Sequence, residues 1–226
     1  NHRLELQYYP EAEQMFKEVL KMDRLADEAY VGLAKCYYEQ GRVAQAEEML
    51  EKALEIPLKR EYLYVDLGWC YYDMDRRGKA EEMFRKAIEL RPKDYDFYIE
   101  LAQFYHALKD YIKAEEMFLK GIFLMRLADD NWPYSALGWH YLERNMYSEA
   151  EKMFRRALEI KPQDLTVYRD WGLLKRAEGK YEEAREYFSK AEEFIKESRS
   201  KTARNYQRIK KIVLRRGIKL VCPQYA

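Results

Sequence analysis

Two stretches of the sequence, KAEEMFRKAIELRP from Lys79 and EAEKMFRRALEIKP from Glu149, are near copies of one another. Self-similarity of this kind constrains a chain more than composition does, because each copy must be the same supersecondary unit and the fold must stack those units. With Ala80, Phe84, Ala87 and Pro92 as one register, Tyr64, Leu67, Gly68 and Tyr71 stand upstream. The same spacing returns as Tyr134, Leu137, Gly138, Tyr141, Ala150, Phe154, Ala157 and Pro162. Each unit, such as 61–94, is 34 residues long.

Stepping by that length gives Tyr30, Leu33, Ala34, Tyr37, Ala46, Leu50 and Ala53 in 27–60. It gives Tyr98, Leu101, Ala102, Tyr105, Ala114 and Phe118 in 95–128, and Tyr168, Trp171, Gly172, Ala184, Phe188 and Ala191 in 165–198. With 61–94 and 131–164 these make five full units. Residues 1–26 hold a partial one, in which Tyr9, Ala12 and Phe16 match the second half, so the chain is expected to begin inside a repeat. Small residues at unit positions 8, 20 and 27 let helices approach, large ones at 4, 11 and 24 fill the space between them, and Pro at 32 ends the second helix. One hairpin cannot bury its own apolar face, so stacking is obligatory.

The pattern resembles the tetratricopeptide repeat family over about residues 7–198. The resemblance implies an all-α fold, a right-handed α-α superhelix of stacked helix hairpins, closed here by a basic capping helix over 199–217. It implies a protein–protein interaction scaffold whose groove is lined by first-helix positions 2, 5, 6, 9, 12 and 13. Mapped onto this chain, those positions select Glu28, Lys35, Tyr38 and Glu39, then Tyr62, Asp66, Trp69, Tyr72 and Asp73. They go on to Asp96, Glu100, Gln103 and His106, then Trp132, Trp139 and Glu143, and last Arg169, Asp170 and Arg176. Seven carboxylates against one Lys in the first four units favour a basic peptide with apolar side chains, and the aromatics suit stacking on Arg or Lys. The family's chaperone-binding subset grips an acidic C-terminus with Lys and Asn, a pattern that Val31, Lys35, Tyr62, Asp66 and Asp96 mostly fail.

Two units depart from the pattern. In 95–128, Gly121 replaces Ala and Arg126 replaces Pro, and Asp129 and Asp130 are extra, so a change of twist or a longer loop is expected there. In 165–198, Lys175 stands where Tyr is usual and Lys196 where Pro is, which reads as an array relaxing toward a cap.

With 48% hydrophobic and 36% charged residues and only 9 Gly and 6 Pro, composition fits a soluble helical protein. No apolar run approaches the roughly 20 residues that span a bilayer. Three cysteines without CxxC spacing suggest neither a disulfide framework nor a zinc site, so a reducing, cytoplasmic setting is expected. Cys36, Cys70 and His140 share position 10 with Phe104 and Leu174, which reads as packing. No HExxH, GxSxG or phosphate loop is present, so no catalytic residue, cofactor or metal is expected.

The net charge of +1 hides an asymmetry: 196–219 holds ten Lys and Arg against Glu197, which leaves −8 for the rest. That basic end could self-associate with an acidic groove. Nucleic-acid binding is disfavoured by the acidic groove and by Tyr206 being the one stacking ring of 200–216. Beyond Gly217, a C-cap signal, residues 218–226 open with a strand-like run, Ile218 to Cys222. The string RRGIKLVCPQYA resembles the first strand of SGNH-type hydrolases, which implies either a tail or the start of a following α/β domain. The array would then be the regulatory or targeting arm of a larger enzyme.

Overall fold

The computed structural model describes residues 9–57, 62–125 and 130–196. All regular structure among them is helical: α1 (Tyr9–Met22), α2 (Asp27–Glu39), α3 (Val43–Glu55), α4 (Leu63–Asp73), α5 (Arg77–Leu90), α6 (Tyr95–Ala107), α7 (Tyr111–Leu124), α8 (Trp132–Glu143), α9 (Tyr147–Ile160), α10 (Leu165–Ala177) and α11 (181–196). The expected capping helix and strand beyond residue 198 lie outside the described residues.

The chain divides into two compact units, Asn1–Ala128 and Asp129–Ala226. The division falls at the segment where the sequence carries its two extra residues. In unit 1, α1 packs on α2, and α2/α3, α4/α5 and α6/α7 are hairpins whose first helices α2, α4 and α6 lie side by side. Unit 2 repeats the plan with α8/α9 and α10, and α8 lies beside α10.

The repeat positions explain the packing. A Cβ on Gly68 would lie 2.8 Å from the Phe84 ring and one on Gly138 2.5 Å from Phe154, so position 8 is where a first helix presses onto the aromatic of its own second helix. The departure at Gly121 has a local cause, since a Cβ there would meet Ile99 Cδ1 at 2.6 Å. Ile99 fills room that an Ala methyl takes elsewhere. α5 ends at Leu90 and α9 at Ile160, each two residues before a proline that cannot continue a helix.

Every hairpin turns the same way. Position 15 is left-handed in all five: Gly41 (φ 75°), Asp75 (57°), Lys109 (62°), Asn145 (58°) and Gly179 (78°). Two backbone bonds close each turn, as in Arg42 N–H to Tyr37 O (2.8 Å) and Gly41 N–H to Tyr38 O (2.8 Å), the Schellman arrangement. Lys109 bears a Cβ penalty that Gly41 and Gly179 escape. Lys109→Gly is therefore expected to raise stability by about 0.5–1 kcal/mol, net of the entropy glycine adds to the unfolded chain. A urea midpoint unchanged or lowered would show the turn to be unstrained.

Candidate functional site

The groove positions in unit 1 fall on the adjacent helices α2, α4 and α6, and contacts run across all three. Tyr38 on α2 donates its hydroxyl to the backbone carbonyl of Asp73 on α4. Tyr62, at the start of α4, donates to Asp96 Oδ2 on α6 at 2.8 Å, rests edge-on against Phe97, and stays 42% exposed. Trp69 donates its indole N–H to Glu100 Oε2 at 2.7 Å, with its ring edge-on to Phe84 and Tyr72. Asp66 and Gln103 are half-buried, and His106 stacks obliquely on Tyr111 at 5.5 Å. Glu28, Lys35 and Glu39 are exposed.

Burial raises the Glu100 pKa and the nearby Asp96 and Asp66 charges add to it, against the pull of the Trp69 N–H. Asp73 is exposed as a residue, yet its carboxyl loses enough water against the helix wall to be raised too, with Lys35 opposing. Burial and the Asp96 hydrogen bond push the Tyr62 phenol well up, so it donates at any ordinary pH.

In unit 2 the same device recurs. The Trp139 indole hydrogen-bonds to Asp170 on α10, which also accepts from Arg169 Nη2 at 3.0 Å and from Ser135 Oγ at 3.4 Å. Asp170 is 2% exposed and burial raises its pKa, against those three donors. Trp132 is half-buried, and Glu143 and Arg176 are exposed. In both units a position-9 Trp thus clips to a position-6 carboxylate of the next repeat, at a spacing of 31 residues. That recurrence is visible in the sequence once Trp69/Glu100 and Trp139/Asp170 are set side by side.

A second link was also missed. Tyr105 at position 11 donates to Glu81 of the preceding repeat at 2.8 Å, and Arg85 Nη2 reaches both (2.8 and 2.9 Å). Burial pushes the Tyr105 phenol up to about 12. Lys175 occupies the same position in the last full unit, 165–198, and reaches the corresponding Glu151 at 2.9 Å and Glu178 at 3.0 Å. It is 5% exposed. So Lys175 is a buried ionic version of the Tyr–Glu link, where the sequence reading saw a repeat losing its pattern.

His140 is buried, with Nε2 3.1 Å from Arg144 Nη1, and Cys36 and Cys70 are buried and free, as packing at position 10 requires. Among the described residues no helix is long and apolar enough to cross a membrane.

Stacked hairpins with first helices side by side define a helical repeat protein. Tetratricopeptide repeat models match residues 4–64, 62–94, 96–163 and 135–198. The chain belongs to the tetratricopeptide repeat family. Among solved structures it is similar to BtubC from P. vanneervenii, with 17% identity over 88% of this chain and 92% of that one and a TM-score of 0.59. It is also similar to the C-terminal part of a TPR repeat-containing protein from Cytophaga hutchinsonii, with 18% identity, 87% and 79% coverage and a TM-score of 0.57. Pseudomonas aeruginosa pilF shares 22% identity over 75% and 76% of the two chains, at a TM-score of 0.56. At these identities the likeness is one of fold. No curated protein matches the sequence.

Proposed function

We propose that the chain is a protein-binding scaffold whose first-helix wall takes a basic peptide segment bearing apolar side chains. The observation behind it is a line of carboxylates on neighbouring first helices of unit 1: Asp96 on α6 bonds the exposed Tyr62, Asp66 stands one turn along α4 from that ring, and Asp73 ends α4, with Lys35 the one Lys among the wall positions. Trp69, Tyr72, Glu100, Gln103 and His106 form the more covered part of that wall; in unit 2 the half-buried Trp132 and Trp139 and the exposed Glu143 stand at wall positions. Both tryptophans spend their N–H groups on the clips, so ring contact with a ligand falls chiefly to Tyr62.

Carboxylates along one wall set selectivity and on-rate more than affinity. A Lys- and Arg-containing peptide is expected to bind more weakly as salt is raised, and an acidic peptide to be rejected. Tyr62→Ala should cost about 1–2 kcal/mol of affinity. Asp66→Asn with Asp73→Asn should chiefly flatten the salt dependence. Calorimetric titration with both peptides at two salt concentrations reads these effects, and equal binding of the acidic peptide would refute the assignment. The chain's own basic stretch, 196–219, is a candidate competitor. Tighter binding of the added peptide by a chain ending at Lys196 would reveal it.

A further inference from the structure

The second helix of 95–128 differs from its counterparts on the side facing away from the core. Ile112, Leu119 and Phe123 on α7 are 84%, 51% and 62% exposed. At about 100° per residue they fall within roughly 40° of arc, opposite the buried Ala114, Phe118 and Gly121. Phe123 stands at position 29, where the other four units all have Glu: Glu55, Glu89, Glu159 and Glu193. Leu119 stands at position 25, held elsewhere by Glu51, Arg85, Arg155 and Ser189, and Ile112 at position 18, held elsewhere by Ala, Gly, Ser and Glu. The repeat supplies its own control: a face that is polar in the second helices of the other four full units has become an apolar stripe about 16 Å long in α7.

We propose that this stripe is a self-association surface on which α7 of a second copy packs antiparallel. The stripe is two-fold self-complementary. In an antiparallel pair like flanks meet, so a stripe centred near residue 118 sets Ile112 against the second copy's Phe123, and the two Leu119 side chains beside the axis. One flank holds Glu116 and Lys120, which the same register places Glu116 to Lys120 and Lys120 to Glu116. Neither is engaged in an ion pair among the described residues; Lys120 sits over the Tyr98 ring, 4.8 Å from its centroid. Stable dimers bury about 1,200–2,000 Å² in total, and one helix face supplies less, so the association is weak and visible at concentrations on the order of 100 μM.

The test is sedimentation of the full chain over a concentration series. The weight-average mass should climb toward twice that of the monomer, and Leu119→Glu with Phe123→Glu should raise the dissociation constant about tenfold or more. Both sites are exposed, so circular dichroism should be unchanged. Glu116→Lys should weaken association by juxtaposing like charges, and adding Lys120→Glu should restore it, which only the antiparallel two-fold register predicts. Asp66→Asn with Asp73→Asn should leave association unchanged, separating this surface from the peptide wall. A wild-type chain that stays monomeric, self-association indifferent to the Leu119 and Phe123 changes, or a charge swap that fails to restore it would overturn the proposal.

Discussion

Trp69→Ala is expected to destabilise unit 1 by about 3–5 kcal/mol, as for the loss of any well-packed aromatic. Two losses coincide. The ring leaves a space between Phe84 and Tyr72, and Glu100 keeps a largely buried carboxylate without its indole donor. Trp69→Phe separates them, because it keeps most of the packing and strands the acid at a cost of about 1–3 kcal/mol. That second cost depends on pH with a definite sign. Glu100 is raised in the folded state, so folding takes up a proton between the unfolded pKa and the higher folded one. Stability from this group therefore falls as pH rises through that window, and the full penalty applies above it. Asp73 and Asp170 act in the same direction. Glu100→Gln keeps an acceptor for Trp69 and should remove this part of the pH dependence. Urea unfolding of the three variants at about pH 5 and pH 7.5 reads the difference. An equal loss at both pH values in Trp69→Phe would show that Glu100 stays solvated.

Lys175→Ala should cost unit 2 about 2 kcal/mol. Losing Lys175 takes the covered cation from Glu151 and Glu178, but Glu151 keeps Arg155 at 2.8 Å and Glu178 keeps Lys180 at 3.1 Å, and the two side chains are 29% and 16% exposed, so those partners and water recover part of the loss. Burial alone would lower the Lys175 pKa, but its bonds to Glu151 and Glu178 outweigh that and raise it, so the ammonium stays charged throughout the neutral range. Glu151 is held below its usual pKa chiefly by Lys175, and its share of stability is lost as pH falls through that lowered value. Lys175→Tyr should recover most of the stability, because Tyr105 already makes the same reach to Glu81. Thermal unfolding of the two variants would expose a wrong reading if the Tyr form were as weak as the Ala form.

The hairpins were legible because five registers repeat the same small and large residues, so the boundaries at Pro92 and Pro162 and the packing at Gly68 and Gly138 follow from alignment alone. The partnerships between repeats were not. Trp69 and Trp139 share a position, which suggested a ligand-facing ring, whereas the bond to Glu100 or Asp170 depends on how far one first helix is displaced along the next. Lys175 misled for a related reason: a residue-by-residue match scores Lys against Tyr as a loss, although both reach a glutamate 24 residues earlier. The α7 stripe is not legible from the repeat pattern, because Ile112, Leu119 and Phe123 stand at exposed positions that the shared small and large packing residues leave unspecified.

The left-handed turn at position 15 also governs where such a chain can grow. Its two closing bonds link residues three and five apart, so a single added residue there would break both and tilt the second helix off its mate. Among the described residues, the stretches 23–26, 91–94 and 161–164 that join one hairpin to the next carry no such pair of bonds, and the sequence places its two additional residues, Asp129 and Asp130, between hairpins. Lengthening the protein, or grafting a foreign peptide or tag into it, is accommodated between hairpins and refused within them.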